Sequence, residues 1–210
     1  MLKNKINYDI KMHEIVDNLG DKVPRLLLHS CCAPCSSHVL SELTSYFDIT
    51  ILYYNPNIEP RDEYEKRKAE LTNFIKVCDK KHKIDIIDCD YDNDIYKNMV
   101  KGMEDLAEGG LRCFKCYDLR LHKTAQIAKQ MGFDYFGTTL TVSPFKNSQK
   151  LNEIGEELSK EFDIPYLYSD FKKHNGYKHS IELSKEYNLY RQDYCGCVYS
   201  KRDRDLKKNN

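Results

Sequence analysis

Glycine is missing from a long stretch of the sequence. No glycine lies between Gly20 and Gly102, so the turn after the first predicted strand lacks a flexible loop that could wrap phosphates. Nucleotide-binding sheets place glycines in that turn, because they let the backbone approach the phosphate groups closely. Their absence argues against an ATP pyrophosphatase and against a Rossmann dehydrogenase.

Excess charge of either sign is missing too. Lysine and arginine together number 33, which equals the 33 aspartates and glutamates. The overall charge therefore does not indicate a nucleic-acid partner, and any RNA contact must come from a local patch. The basic segment 201–208 is one candidate, but a solvated, frayed end is the favoured interpretation of the polar tail at 200–210.

Long apolar runs are the third absence. No segment approaches the roughly 18 consecutive apolar residues that span a bilayer, and residues 1–5 lead into a polar helix without a signal-peptide apolar region. We therefore expect a cytoplasmic protein with no membrane partner. The content of 40% hydrophobic and 31% charged residues predicts a folded globular chain. Residues 1–210 are expected to form a single domain with an N-terminal helical extension at 1–23.

Apolar runs and helical patterns alternate along the chain. Short runs rich in β-formers predict strands, and amphipathic periodicity predicts the helices between them. The predicted strands are 25–29, 49–54, 84–89, 134–138 and 165–168. The predicted helices are 8–19, 33–45, 61–80, 92–105, 113–131, 149–162 and 176–187. This alternation favours an α/β fold with a doubly wound, mostly parallel sheet, which binds its ligands at the carboxyl-terminal rim.

Nine cysteines are many for a chain in a reducing compartment, where clustered thiols bind metals or do redox chemistry more often than they form disulfides. Seven of them form three tight groups: Cys31, Cys32 and Cys35; Cys113 and Cys116; Cys195 and Cys197. One tetrahedral zinc would use four thiolates and leave three unexplained. The surplus favours a four-iron cluster with a second metal or a redox dithiol beside it. The isolated Cys78 and Cys89 are interpreted as core or surface residues.

A structural zinc site on Cys113, Cys116 and the Cys195 and Cys197 pair is the main alternative, since zinc also favours a two-residue gap between ligands. The position of the first cysteine group argues against it. That group lies where a predicted strand leads into a helix, at the rim where ligands bind, and a helix N-terminus favours the thiolate. A structural zinc site does not have to lie at the rim where ligands bind.

Five segments carry a recognisable pattern in this order along residues 24–200: Leu28-His29-Ser30-Cys31-Cys32-Ala33-Pro34-Cys35; Tyr54-Asn55-Pro56-Asn57-Ile58 with Tyr64 and Arg67; Arg112-Cys113-Phe114-Lys115-Cys116; Thr138-Thr139-Leu140 with Ser143-Pro144; and Tyr190-Arg191-Gln192-Asp193-Tyr194-Cys195-Gly196-Cys197. Together they resemble the QueH family of epoxyqueuosine reductases. The resemblance implies an oxygen-sensitive 4Fe-4S enzyme with an adjacent iron ion. It also implies a sheet related to the PP-loop ATPase (HUP-like) folds, without their nucleotide loop.

The resemblance further implies a reaction and its partners. Members of the family remove the epoxide oxygen of epoxyqueuosine at the tRNA wobble position and so form queuosine, which takes two electrons and two protons. The expected partners are the tRNA anticodon loop carrying epoxyqueuosine and an external electron donor. Two alternatives from other classes are a zinc-stabilised RNA-binding protein and a metal-free dithiol oxidoreductase that cycles Cys32 and Cys35.

The motifs also suggest roles for individual residues. We assign the cluster to Cys32, Cys113, Cys116 and Cys195, and the adjacent iron to Cys31, Cys35 and Cys197. The candidate proton donors are His29, Asp193 and Tyr194, because they border the cysteine groups. The candidate substrate-binding residues are Asn55, Tyr64, Arg67 and Arg112, since amides, arginines and aromatic rings suit phosphate contacts and base stacking.

Overall fold

The computed structural model describes residues 6–208 of the chain, and these form four β-strands, eight α-helices and one 3-10 helix. The strands are β1 (Arg25–His29), β2 (Asp48–Tyr53), β3 (Asp85–Asp88) and β4 (Tyr135–Thr138). The helices are α1 (Tyr8–Asp17), α2 (Ala33–Leu43), α3 (Arg61–Val77), α4 (Asn93–Met99), α5 (Leu111–Gln130), α6 (Ser148–Phe162), α7 (Gly176–Glu186) and α8 (Val198–Lys208). The 3-10 helix, Thr139–Val142, follows β4 directly.

The four strands form one parallel sheet in the order β3-β2-β1-β4. In its centre, Leu28 of β1 lies opposite Ile51 of β2 and Gly137 of β4. The three consecutive leucines of β1 are fully buried, as expected for a strand covered on both faces. The predicted α/β fold with a parallel sheet is confirmed.

Helices cover both faces of this sheet, because successive side chains of a strand point to opposite sides. Leu26 and Leu28 pack into a core that includes residues of α2 and α3, whereas Leu27 packs into a second core with residues of α5 and α6. Helix α7 lies against α2. The strand order reverses between β1 and β4, so the turn after β1 opens at the point where an open α/β sheet binds ligands.

The predicted fifth strand at 165–168 is wrong. Tyr166 forms only an isolated parallel bridge with Phe136, closed by hydrogen bonds from Phe136 N to Pro165 O at 3.0 Å and from Leu167 N to Phe136 O at 2.8 Å. Pro165 has no N–H to donate to a ladder, and β4 itself turns into the 3-10 helix after four residues. The segment therefore runs beside β4 without extending the sheet.

The other predicted strands and helices mostly agree with the structure to within three residues at each end, and two further features differ more. Helix α4 ends at Met99, well before the predicted residue 105, because Gly102 adopts a left-handed conformation with φ of 82° and closes a turn. The tail expected to fray instead forms α8, whose Arg204 and Lys208 both bind Asp193. Across residues 6–208, none of the helices is both long and apolar enough to cross a membrane.

Candidate metal centre

The first cysteine group occupies the turn between β1 and α2. Cys31 and Cys32 follow the strand, and Cys32 is the extended N-cap residue of the helix. Pro34 stands in the first helical turn, where its missing N–H costs no hydrogen bond. The Sγ atoms of Cys31, Cys32 and Cys35 all lie within 4.8 Å of one another, and Cys31 Sγ is 3.7 Å from Cys32 Sγ. Local backbone geometry thus aims three sulfurs at one point.

The pKa values of these three thiols are shifted in opposite directions. Hydrogen bonds from the thiols of Cys32 and Cys35 lower the pKa of Cys31, although burial opposes this shift. The same contacts act in reverse on the donors, because the hydrogen bond to Cys31 raises the pKa of Cys32 to about 12 and also raises the pKa of Cys35. The group therefore favours one thiolate, on Cys31, even without a metal.

The other two pairs of cysteines come together in space as a second group, formed by Cys113, Cys116, Cys195 and Cys197. This group joins α5 to the segment before α8. Cys113 and Cys116 lie three residues apart on α5, on one side of the helix. Cys113 Sγ accepts a hydrogen bond from Gly109 N at 3.2 Å, and Cys197 Sγ accepts one from Ser200 N at 3.4 Å. Burial raises the pKa of Cys116 to about 12, and the charges of Cys195, Cys197 and Cys113 add to the effect. The four thiols are therefore close enough to interact electrostatically.

The two cysteine groups in the structure differ from the predicted division of the thiols between a 4Fe-4S cluster and an adjacent iron. The tight trio joins Cys32 to Cys31 and Cys35, whereas our sequence-based assignment placed Cys32 with Cys113 and Cys116. The structure brings the other four predicted ligands together as a looser second set. The 4Fe-4S cluster, the adjacent iron and the division of the thiols between them all stay predictions. The isolated Cys78 is buried and Cys89 is half-buried, and both are free.

A glycine and a buried arginine fix the Cys195-Gly196-Cys197 segment. Gly196 O accepts a hydrogen bond from Glu59 N at 2.9 Å, and the Arg67 guanidinium donates to Cys195 O at 3.1 Å. Arg67 is itself held by Glu63, with 2.7 Å between Nε and Oε1. Gly196 has φ of 122°, which L residues rarely adopt, and a Cβ there would lie 2.9 Å from Ile58 Cγ1. The chain between the two cysteines requires glycine.

Gly196→Ala is accordingly expected to destabilise the protein by about 1–3 kcal/mol, because alanine is strained in this conformation, and to lower the amount of bound iron. Thermal unfolding and iron analysis of the purified variant measure both effects. Gly132→Ala is the matched control, because Gly132 also has a positive φ, of 66°, but a Cβ there would meet nothing within 4 Å. Iron content at the wild-type level in Gly196→Ala would contradict this role of the segment.

Two cations among the thiols were not identified from the sequence. Arg120 is buried on α5, and its Nε donates to Cys116 O at 3.0 Å. Burial opposes its charge, yet the thiolates of Cys116, Cys195 and Cys31 raise its pKa. Lys146 is half-buried, and although burial lowers its pKa, the thiolates of Cys195, Cys31 and Cys35 raise it overall. The spacing of Cys113, Cys116 and Arg120 on one helix side could have revealed Arg120.

The three candidate proton donors lie in different surroundings. His29 is fully buried, with Nδ1 3.1 Å from Thr138 Oγ1 and Nε2 3.1 Å from Tyr54 O. Burial and then the charge of Arg120 lower the pKa of His29 to about 3. Hydrogen bonds from Lys208 and Arg204 lower the pKa of Asp193 to about 2. The ring centroid of Tyr194 is 5.1 Å from Arg67 Cζ and 4.8 Å from Arg204 Cζ.

The four candidate substrate residues are buried and hold the scaffold. Each is 1% exposed. Asn55 Nδ2 donates to Ser30 O at 2.8 Å, Tyr64 Oη donates to Cys89 O at 3.0 Å, and Arg112 donates to Glu104 O at 2.8 Å. Arg67 positions Cys195, as described above. In this conformation all four side chains are closed off from solvent, so contact with a substrate would need an opening of the chain. Their role in substrate binding stays a prediction.

A cavity of about 510 Å³ opens beside both cysteine groups. Cys31, Cys35 and Cys195 lie in its wall together with Lys146 and Tyr194. Asp193 lines it as well, whereas His29 and the four buried scaffold residues do not. Of the predicted site residues, the cavity therefore brings together three thiols, Cys31, Cys35 and Cys195, and two candidate proton donors, Asp193 and Tyr194.

The donor set suits an iron-sulfur centre. Thiolates are the usual ligands of such clusters, and seven thiols surround this part of the molecule. Arg120 Nη2 is buried without a hydrogen-bond partner within residues 6–208, which suits a site that gains negative charge when thiolates bind metal. A parallel α/β sheet with cysteine groups at the edge of a cavity is the architecture of a protein that can bind metal through thiolates.

Comparison with known proteins specifies the family. The chain matches the family model of Epoxyqueuosine reductase QueH over residues 26–203. It is 45% identical over 201 residues to the epoxyqueuosine reductase QueH of Streptococcus pyogenes serotype M1, across 93% of this chain and 78% of the relative. Identity to the proteins of the same name is 43% in Staphylococcus aureus strain Mu50, across 95% of this chain and 86% of the relative, and 35% in Thermotoga maritima, across 87% and 93%. The chain belongs to the QueH family, as its motifs predict, and is an oxidoreductase.

Proposed function

We propose that this chain reduces the epoxide of epoxyqueuosine at the tRNA wobble position and so forms queuosine. Two electrons and two protons convert the epoxide into an alkene, and the epoxide oxygen leaves as water. The observation that carries the proposal is the cavity at whose wall Cys31, Cys35 and Cys195 meet. The relatives' names supply the substrate. The wobble nucleotide lies in a single-stranded loop, so its base can enter a cavity without opening a duplex.

The seven clustered thiols would hold a 4Fe-4S cluster and an adjacent iron. When bound, such a centre supplies electrons from an external donor and a Lewis acid for the epoxide oxygen. Arg120 and Lys146 compensate the negative charge of the thiolates. The parallel strand order and the cysteines in the turn after β1 support a relation to the PP-loop ATPase folds, with thiols in place of a phosphate loop.

Among the three candidates, we propose Tyr194 as the proton donor. Its side chain lines the cavity beside Cys195. Asp193 is a carboxylate at neutral pH, since its pKa is about 2. His29 already uses both ring nitrogens, one toward Thr138 and one toward the Tyr54 carbonyl, and it lies outside the cavity wall. We therefore give His29 a positioning role, in which it ties β1 to the ends of β2 and β4, and Asp193 the role of anchoring α8.

The test is an anaerobic incubation of the iron-loaded protein with a chemical reductant and tRNA that carries epoxyqueuosine, followed by mass analysis of the released nucleosides. We expect queuosine, lighter than the substrate by one oxygen, and a rate at least about 100-fold lower for Tyr194→Phe. Intact epoxide with the wild-type protein would contradict the function. A wild-type rate for Tyr194→Phe would contradict only the assignment of the proton donor.

A further inference from the structure

Phe145 is the most exposed large apolar side chain within residues 6–208. It is 74% exposed, in the loop between the 3-10 helix and α6. Its ring pairs with no other aromatic ring among the described residues, although it lies at the wall of the cavity that contains the thiols. A single exposed apolar ring is common on protein surfaces. Phe145 is distinguished by its place at the wall of the cavity that contains Cys31, Cys35 and Cys195.

The wall around Phe145 is basic. Five cationic side chains line the cavity, and three carboxylates accompany them, whereas the chain as a whole has no net charge. Two of those cations, Arg204 and Lys208, already engage Asp193. Lys207, in the last turn of α8, forms no ion pair within the described part of the chain. A local basic patch therefore lies at the cavity although the chain as a whole has no net charge, and α8 supplies most of its cations.

We propose that this surface, formed by Phe145 and the basic end of α8, binds a single-stranded RNA loop. Phe145 stacks on an unpaired base next to the nucleotide that enters the cavity, and Lys207 contacts a phosphate of the same loop. The inference deepens the proposed function and rests on it for the identity of the RNA. Exposed aromatic rings beside cations are the usual means of binding unpaired nucleotides, because every base has a face to stack and every linkage has a charge.

A lipid surface and an acidic peptide fit these observations less well. Phe145 stands between Pro144 and Lys146 and is a single ring, whereas insertion into a bilayer needs an apolar face with several large side chains. An acidic peptide would account for the cations but not for an aromatic ring at the entrance of a redox cavity. In a nucleic-acid loop, an unpaired base can stack on the ring and a phosphate can contact the cations, so both features are explained. The cavity can then hold the neighbouring base.

The stacking contact is tested with Phe145→Ala in the iron-loaded protein. The probe is an anticodon stem-loop RNA whose loop carries epoxyqueuosine, and its dissociation constant is measured by fluorescence anisotropy. We expect a loss of affinity of about tenfold or more, which is the size of one lost base-aromatic stack, and a rescue by Phe145→Tyr. Val77→Ala, at a site that is 66% exposed and outside the cavity wall, is the control and should bind like the wild type.

The phosphate contact is tested with Lys207→Ala and with the control Lys160→Ala on α6. Loss of one phosphate contact should reduce the slope of log affinity against log salt by about 0.7 for a single strand, and only in Lys207→Ala. Affinities within twofold of the wild type for both Phe145→Ala and Lys207→Ala, or an equal loss with a loop-free duplex, would overturn the inference. Failure of the reductase proposal is distinguishable, since the wild type would then bind the loop through Phe145 and leave the epoxide intact.

Discussion

Cys116→Ala is expected to lose the iron and acid-labile sulfide of an anaerobically prepared protein and to reduce epoxyqueuosine more than about 100-fold more slowly than the wild type. Cys116 is buried at the meeting point of α5 and the segment before α8, where the thiols of Cys113, Cys195 and Cys197 interact with it. A metal centre that has lost one of its thiolates cannot complete its coordination, and water or a weaker ligand must substitute. Iron and sulfide analysis and the nucleoside assay measure the two effects.

Cys78→Ala is the matched control for this prediction. Cys78 is also a buried, free thiol, but it packs in the core that contains residues of α2 and α3, at the end of α3, and belongs to neither cysteine group. The control should retain its iron, its sulfide and its activity. If Cys116→Ala kept a full iron and sulfide content, the second cysteine group would not be a metal site. If both variants lost iron equally, the loss would reflect general destabilisation and the contrast between the groups would disappear.

Arg120→Met is expected to have opposite effects on the metal-free and the metal-loaded protein. Without metal, the buried guanidinium has one recorded acceptor among the described residues, Cys116 O, and its Nη2 has none. An apolar side chain of similar length should therefore stabilise the metal-free protein by about 1–4 kcal/mol. With metal bound, the same change removes one of the two cations that balance the thiolates, so affinity for iron should fall about 10- to 100-fold.

Thermal unfolding of the metal-free protein and competition with an iron chelator measure these two effects. Arg120→Lys is the control, because it keeps a positive charge close to Cys116 while it loses the fixed geometry of the guanidinium. It should retain more iron than Arg120→Met. A metal-free Arg120→Met protein that is less stable than the wild type, together with unchanged iron affinity, would show that Arg120 only holds the fold.

The order of elements and the parallel sheet could be read from the sequence, since they depend on local periodicity. The strand Arg25–His29 contains three consecutive leucines, and the burial of both its faces follows from that pattern. The predicted strand at 165–168 failed because strand identity depends on a neighbour. Its neighbour β4 has four residues, so Tyr166 finds one bridge and no ladder.

The cysteine groups of the site were recognisable because they are close in sequence. Their arrangement in space was not recognisable from the sequence. The contact of Cys32 with Cys31 and Cys35 depends on the turn after β1. The approach of Cys195 and Cys197 to α5 depends on the fold of the whole chain. Arg67 and Arg112 look like phosphate ligands in a sequence, but tertiary packing buries them against backbone carbonyls. The ordering of the tail into α8 was not predictable either, because it depends on Asp193, which lies outside the helix and binds Arg204 and Lys208.

The measurement that tests the central claim most directly is a titration of the anaerobically purified, chemically reduced protein with tRNA that carries epoxyqueuosine, followed by visible absorbance. The account predicts a brown protein with about four sulfides and one iron beyond the cluster, whose absorbance returns to the oxidised spectrum as queuosine forms. A colourless, sulfide-free protein that stays folded around zinc and leaves the epoxide intact would contradict it.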